Sequence, residues 1–232
     1  EAFTRARDEE YIGVLSDDLV TKGGDEPYRM FTSRAEYRIR HRMEDADMRL
    51  TERAYRLGLA KEDRYQLMKS KKEALDQIVD FAKNYSMKPA LINDALEKLG
   101  TTPLRQGCKL IEVLNRPQIT IENIAEHVPA FQRELEKATA ADSDRKEEIL
   151  EAAEILIKYQ GYIDRERMIA EKLARLESIK IKGKFDYASI QSLSTEARQK
   201  LVKIDPETIA QASRITGVSP SDINVLLVLC GR

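Results

Sequence analysis

Along most of this 232-residue chain, apolar residues recur three or four positions apart with charged residues between them, the spacing of amphipathic helices. The stretch DEEYIGVLSDDLVTKGG predicts a short helix stopped at Gly23-Gly24. Residues 34–43 break the pattern. Arg34, Glu36, Arg38, Arg40 and Arg42 alternate with Ala35, Tyr37, Ile39, His41 and Met43, which predicts a strand with one charged face. A helix also fits, since Arg34, Arg38 and Arg42 are four apart. Further on, Thr51 is placed to cap TERAYRLGL, with Gly58 ending it. KEDRYQLMKSKKEALDQIVDFAKNY predicts a long charged helix. Pro89, Gly100 and Pro103 then mark a region of short helices, LINDALEKLG, GCKLIEVLNRP and TIENIAEHV. Residues 132–145 carry little apolar content and predict a linker.

From Asp144 to Ser178 one helix of about thirty residues is predicted, roughly 45 Å long. Ile149, Ala152, Leu156, Tyr159, Ile163, Ala170 and Leu173 keep a stripe that is interrupted at Glu166. The stripe fits a core-facing helix, or a coiled-coil seam. Gly161 inside it predicts a bend or a close backbone approach. Three helices follow: one capped by Ser194, one with Pro206 in its first turn and Gly217 past its end, and one with Ser219 as cap and Pro220 in its first turn. The fold class is therefore all-α. The expected form is a helical bundle with one long central helix, a C-terminal three-helix subdomain and a short extended segment near the N-terminus.

Composition supports this picture: 34% charged residues, 6% aromatic and no Trp. A net charge of -1 gives no global field toward nucleic acid or acidic membranes, so any basic function is local. Cys108 and Cys230 stand far apart without a CxxC spacing, which points to a reducing compartment rather than a disulfide or zinc framework. No run reaches 18 apolar residues, and no signal peptide is present. The chain opens without Met and reads as a piece of something longer.

Neither GxGxxG nor GxxxxGKS occurs. The only histidines, His41 and His127, belong to no metal-spaced cluster, and His127 fits a helix-end role. No autonomous catalytic or metal site is expected. The local exception is EPYRMFTSRAEYRIRHR. Residues 28–42 carry +4, five arginines against Glu36, with Tyr28, Phe31 and Tyr37 interleaved. Guanidinium forks match phosphate and stack on bases. The same arginines equally fit pairing with Glu44, Asp45, Asp47 and Glu52 at an internal interface. A second candidate, ETIAQASRITGVSPSDINVLL, has a helix-turn-helix outline. Its second helix carries no Arg or Lys, which argues against DNA reading and for burial or a protein interface.

DDLVTKGGDEPYRMFTSRAEYRIRHRMEDADMRLTERAYRLGL, IKYQGYIDRE and QASRITGVSPSDINVLLV resemble the C-terminal part of the glucose-inhibited division protein A family, GidA, also called MnmG. These are bacterial tRNA uridine 5-carboxymethylaminomethyl modification enzymes. The resemblance implies FAD in an upstream Rossmann-type domain, NADH as reductant, methylenetetrahydrofolate as one-carbon source, and a partner GTPase, MnmE. The target is C5 of the tRNA wobble uridine. It also implies a homodimer in the cytoplasm, and catalytic cysteines upstream, so neither Cys108 nor Cys230 is one. Three regions follow: 1–50 as the junction to the FAD domain, 51–140 as a helical linker domain, and 141–232 as a C-terminal helical domain. By resemblance, Arg29, Arg34 and Arg38 are placed at tRNA, with Arg42 and Arg49 beside them. Lys158, Tyr159, Gly161, Tyr162, Gln211, Ser213, Arg214, Gly217 and Pro220 are placed at tRNA or the GTPase. Two other readings stay open: a module for the GTPase alone with tRNA held elsewhere, and a DNA-binding helix-turn-helix.

Overall fold

A computed structural model describes residues 6–21 and 27–231. The expected stop at Gly23-Gly24 lies outside them. The fold is all-α. In chain order the elements are α1 (Tyr11–Thr21), α2 (Ala46–Arg56), α3 (Glu62–Asn84), β1 (Ser86–Met87), α4 (Pro89–Lys98), β2 (Cys108–Lys109), α5 (Leu110–Leu114), α6 (Ile121–Ala125), α7 (Pro129–Ala138), α8 (Lys146–Glu177), α9 (Thr195–Ile204), α10 (Ile209–Arg214) and α11 (Pro220–Leu229). Strands β1 and β2 form one short antiparallel pair, with Met87 opposite Cys108. The chain divides into two compact units. One joins residues 1–41 to 163–232 and the other is 42–162. Helix α8 runs unbroken for 32 residues through the boundary.

In the 42–162 unit, α3 presents Ala74, Leu75, Ile78 and Ala82 on one buried face. Ile92 and Leu96 of α4, Leu110 and Leu114 of α5, Ile124 of α6, Phe131 of α7 and Ile149 and Ile157 of α8 complete that core. Phe131 stacks on Phe81, centroids 5.8 Å apart. Each fully buried side chain of this size contributes about 1.5–3 kcal/mol. Lys71 is also buried in this unit. Its ammonium meets Asp47 at 2.9 Å and Glu148 at 2.8 Å. Burial opposes its charge, and the two carboxylate hydrogen bonds prevail and raise its pKa.

In the other unit, Ile181, Leu193, Ala197, Leu201, Ile209, Ala212, Ile223 and Leu226 form the core around α9, α10 and α11. Buried Asp222 ties two helix starts together. Its carboxylate accepts from the Ser194 N–H at 2.8 Å and the Ser219 N–H at 2.9 Å. Both serines also cap their own helices, as their spacing predicts, and Pro220 holds the first turn of α11.

Several expectations change. Residues 34–43 form neither strand nor helix: a 3-10 turn at Thr32–Arg34 is followed by a turn in which the Arg40 and His41 N–H groups donate to the Tyr37 carbonyl. The alternation is real, but it sorts buried Ala35, Tyr37 and His41 from outward Glu36 and Arg38 without a ladder partner. Glu166, the break in the α8 stripe, accepts from the Ile39 and Arg40 N–H groups at 3.2 and 3.0 Å. The stripe is thus interrupted by a carboxylate that satisfies this turn. Thr51 is a buried residue inside α2, which starts at Ala46. The predicted linker 132–145 is α7 plus a 3-10 turn, anchored by buried Phe131 and Leu135. The first turn predicted at Pro206 starts instead at Ile209, capped by the Thr208 hydroxyl. Gly161 stays helical with open space where a Cβ would stand, so no close approach accounts for it.

Two glycines separate by substitution. Gly161→Ala should stabilise the chain by about 0.5–1 kcal/mol, the helix-propensity difference. Gly217 has φ +95° and a Cβ there would overlap the Glu196 carboxylate, so Gly217→Ala should destabilise by about 1–2 kcal/mol. Urea midpoints with unchanged m-values measure both.

Glu148 gives a pH signature. Hydrogen bonds from Arg145 and then Lys71 hold its carboxyl at about 2, against an ordinary 4.5. A depressed folded-state pKa adds stability that is complete above about 4.5 and lost as pH falls toward 2. Glu148→Gln should therefore be less stable than wild type at neutral pH, with the gap closing across that window in urea titrations at stepped pH.

Candidate functional site

The arginine-rich strip is arranged around one carboxylate. Asp18, on α1, is fully buried. It accepts from the Arg7 guanidinium at 2.6 Å and from the Tyr28 hydroxyl at 2.9 Å, with Arg34 at 3.9 Å. Arg7 also reaches Asp17 at 2.9 Å and Glu36 at 2.7 Å. Burial acts against its charge, and the hydrogen bonds to Glu36 and Asp18 outweigh that and strengthen its hold on the proton. Arg34 lies over the Tyr28 ring, 4.5 Å from its centroid, within cation–π range. Tyr37 is buried, which pushes its hydroxyl up to about 12, with Glu36 adding to the shift.

The site residues expected from sequence fall into different surroundings. Arg29 and Arg38 are exposed and make no hydrogen bond or ion pair among the described residues. Phe31 and Met30 beside them are 53% and 40% exposed. Arg34 is half-buried between Tyr28 and Asp18. Arg42 and Arg49 are turned inward: Arg42 pairs with Glu44 and Asp45, and Arg49 with Asp45 at 3.0 Å and the Arg42 carbonyl. They brace the start of α2.

Lys158 pairs with Glu154 at 2.7 Å. Tyr159 and Tyr162 are exposed neighbours on α8, ring centroids 6.1 Å apart, with Gly161 between them. The terminal motif is mostly internal. Gln211 accepts from the Glu207 N–H and Ser213 donates to the Ala210 carbonyl. Arg214 bridges Glu177 at 2.7 Å and Asp17 at 3.2 Å. Gly217 takes the turn and Pro220 is the first residue of α11.

Arg7, Asp17, Glu36, Tyr37, Glu177 and Arg214 together line a cavity of about 660 Å³. Its carboxylates outnumber its cations, so it does not attract phosphate. Arg7 lay outside every motif, because it finds Glu36 across 29 residues of chain. Among the described residues no three metal-ligating groups come together, and no helix is long and apolar enough to cross a membrane. Nor is a Gly-rich turn seen between a strand and a helix. Among the described residues the strands are the two-residue β1 and β2, which do not supply the strand–turn–helix cradle of a dinucleotide site.

Chemically, the strip offers exposed Arg29, Phe31 and Arg38 alongside arginines committed to carboxylates. The two kinds of arginine separate by stability. Arg214→Ala should lower unfolding free energy by about 1–3 kcal/mol, since Glu177 and Asp17 lose their shared partner. Arg29→Ala should stay within about 0.5 kcal/mol of wild type. Chemical denaturation of the two variants side by side checks this.

Comparison with known proteins follows the same outline. A family described as the tRNA modifying enzyme MnmG/GidA C-terminal helical domain matches residues 62–167. A second, the MnmG/GidA C-terminal helical bundle, matches residues 169–232. The tRNA uridine 5-carboxymethylaminomethyl modification enzyme MnmG of Bacteroides thetaiotaomicron is 94% identical over all 232 residues, and that of Porphyromonas gingivalis is 60% identical over 99% of the chain. The chain spans about 37% of the length of the first of these and 36% of the second. Aquifex aeolicus GidA, in its form II crystal, superposes with a TM-score of 0.69 at 34% identity, over 100% of this chain and 34% of that one.

Proposed function

Because the chain belongs to the MnmG/GidA family of tRNA-modifying enzymes, as part of its C-terminal helical region, we propose that it is the tRNA- and partner-contacting part of a flavoenzyme. That enzyme acts in the cytoplasm as a homodimer with the GTPase MnmE. It installs the carboxymethylaminomethyl group at C5 of the wobble uridine, with FAD and NADH handled by an upstream domain.

The observation that carries the tRNA reading is the sorting of the arginines. Arg42, Arg49 and Arg214 are committed to carboxylates. Arg29 and Arg38 are left unpaired and exposed among the described residues, and Phe31, two residues after Arg29, is exposed as well. Guanidinium groups left free next to an aromatic suit a phosphate backbone with unstacked bases. Arg34 is a positioning residue in this scheme, holding Tyr28 in place. The alternative, a module for the GTPase alone with tRNA held elsewhere, draws on exposed Tyr159 and Tyr162. A DNA-reading helix is disfavoured, since α11 buries Asp222, Ile223 and Leu226 and bears no cation.

In the full-length protein, Arg29→Ala with Arg38→Ala should weaken tRNA binding and reduce the slope of log affinity against log salt by about 1.4–1.8, two phosphate contacts' worth. MnmE binding should be unchanged. An unaltered slope in filter-binding titrations at stepped salt would remove the phosphate role.

A further inference from the structure

Residues 178–185, SIKIKGKF, place lysines at alternate positions 180, 182 and 184. Extended backbone sends successive side chains to opposite sides. Ile181 is accordingly buried in the core around α9–α11, while all three lysines are exposed. The segment is pinned rather than loose. The Ile181 N–H donates to the Glu207 carbonyl at 2.8 Å, the Ile209 N–H to the Ile179 carbonyl at 3.0 Å, and the Lys184 N–H to the Ile181 carbonyl at 3.0 Å. Gly183, at φ +67°, turns the chain between Lys182 and Lys184.

The three lysines differ. Lys182 lies 3.6 Å from the Glu207 carboxylate. Lys180 and Lys184 have no carboxylate partner among the described residues. Both line a cavity of about 640 Å³ with Ser178, Phe185, Leu229 and Cys230, and no acidic side chain lines it. Two ammonium groups without counter-charge, a hydroxyl, an aromatic ring and an aliphatic wall form a combination that fits a nucleotide. The cations meet a phosphate and the ring meets a base. The volume lies in the range of small-ligand sites.

We propose that this cavity receives one nucleotide of a single-stranded RNA segment, its phosphate at Lys180 and Lys184 and its base against Phe185. The proposal rests on the tRNA reading for the identity of the RNA, but it concerns residues outside the arginine strip. A free mononucleotide or inorganic phosphate offers the same local chemistry. RNA is favoured because the family this chain belongs to is one of tRNA-modifying enzymes, and single-stranded RNA offers phosphate and unstacked base together. Lys182, held by Glu207, stands outside the contact.

The test uses full-length protein carrying Lys180→Ala with Lys184→Ala, Lys182→Ala alone, or Arg29→Ala with Arg38→Ala. Each is titrated at stepped salt with tRNA, a single-stranded RNA oligonucleotide, AMP and inorganic phosphate. The Lys180/Lys184 double variant should lose roughly fivefold in RNA affinity at ~0.1 M salt and about 0.7 in salt slope, one single-strand phosphate's worth. Lys182→Ala should bind as wild type, and AMP and phosphate should bind far more weakly than RNA. In wild type, RNA should also shield the Cys230 thiol from maleimide, read by peptide-resolved mass spectrometry. Full RNA affinity in the double variant, an equal loss from Lys182→Ala, AMP binding as tight as RNA, or an unshielded Cys230 would each overturn the proposal. If the arginine variant loses affinity and the lysine variant does not, only this inference falls. If neither does, the tRNA reading falls as well.

Discussion

Asp18 has no exposure, and a carboxylate cannot be taken out of water without cations or donors around it. Arg7 answers most of that demand, the Tyr28 hydroxyl answers part of it, and Arg34 comes close enough to add to the field. Those three contacts fix where Tyr28 and Arg34 lie against α1. Tyr28 is fixed by its hydroxyl and overlaid by Arg34. Arg7 in turn holds Glu36, just before buried Tyr37. The arginine-rich strip has almost no regular secondary structure of its own, so this ionic lattice and the Glu166 carboxylate on α8 do for it what a ladder does for a strand. The outward direction of Arg29 and Arg38 is a consequence of what is held inward.

The same logic recurs in the other unit at smaller scale. Lys71 is buried and would be expelled without Asp47 and Glu148, and these two bring α2 and the start of α8 to α3. In both units a buried charge specifies an arrangement that apolar packing alone leaves loose. Hydrophobic burial supplies the bulk of the stability. The ion pairs add little net energy and mainly select one geometry, since a misplaced partner leaves a charge stranded.

What could be seen in the sequence was the local part. Helical spacing, the Ser194 and Ser219 caps, Pro220 and the left-handed glycine turns depend on residues a few positions apart, and they stand where the spacing puts them. Residues 132–145 were misread because low apolar content hides two well-placed anchors, Phe131 just before the stretch and Leu135 within it. Residues 34–43 were misread because period two reports which side chains are buried, not whether a partner strand exists. The committed arginines were indistinguishable from the free ones. Arg7 to Glu36 and Arg214 to Asp17 are pairings across long loops, and no spacing rule reaches them.

The two motif stretches that drew attention for their residues, FTSRAEYR and QASRITG, meet in one place. Glu36 and Tyr37 from the first and Ser213 and Arg214 from the second line the same cavity, with Asp17 shared between Arg7 and Arg214. A motif containing arginine invites a phosphate, yet here the arginine of the second motif pairs with two carboxylates and the cavity lining is net acidic. The two motifs pack together at this cavity, with Arg214 pairing to Asp17 and Glu177 beside Glu36 and Tyr37. Whether a cation serves structure or ligand is decided by its nearest acid, and that neighbour is a property of the fold rather than of the motif.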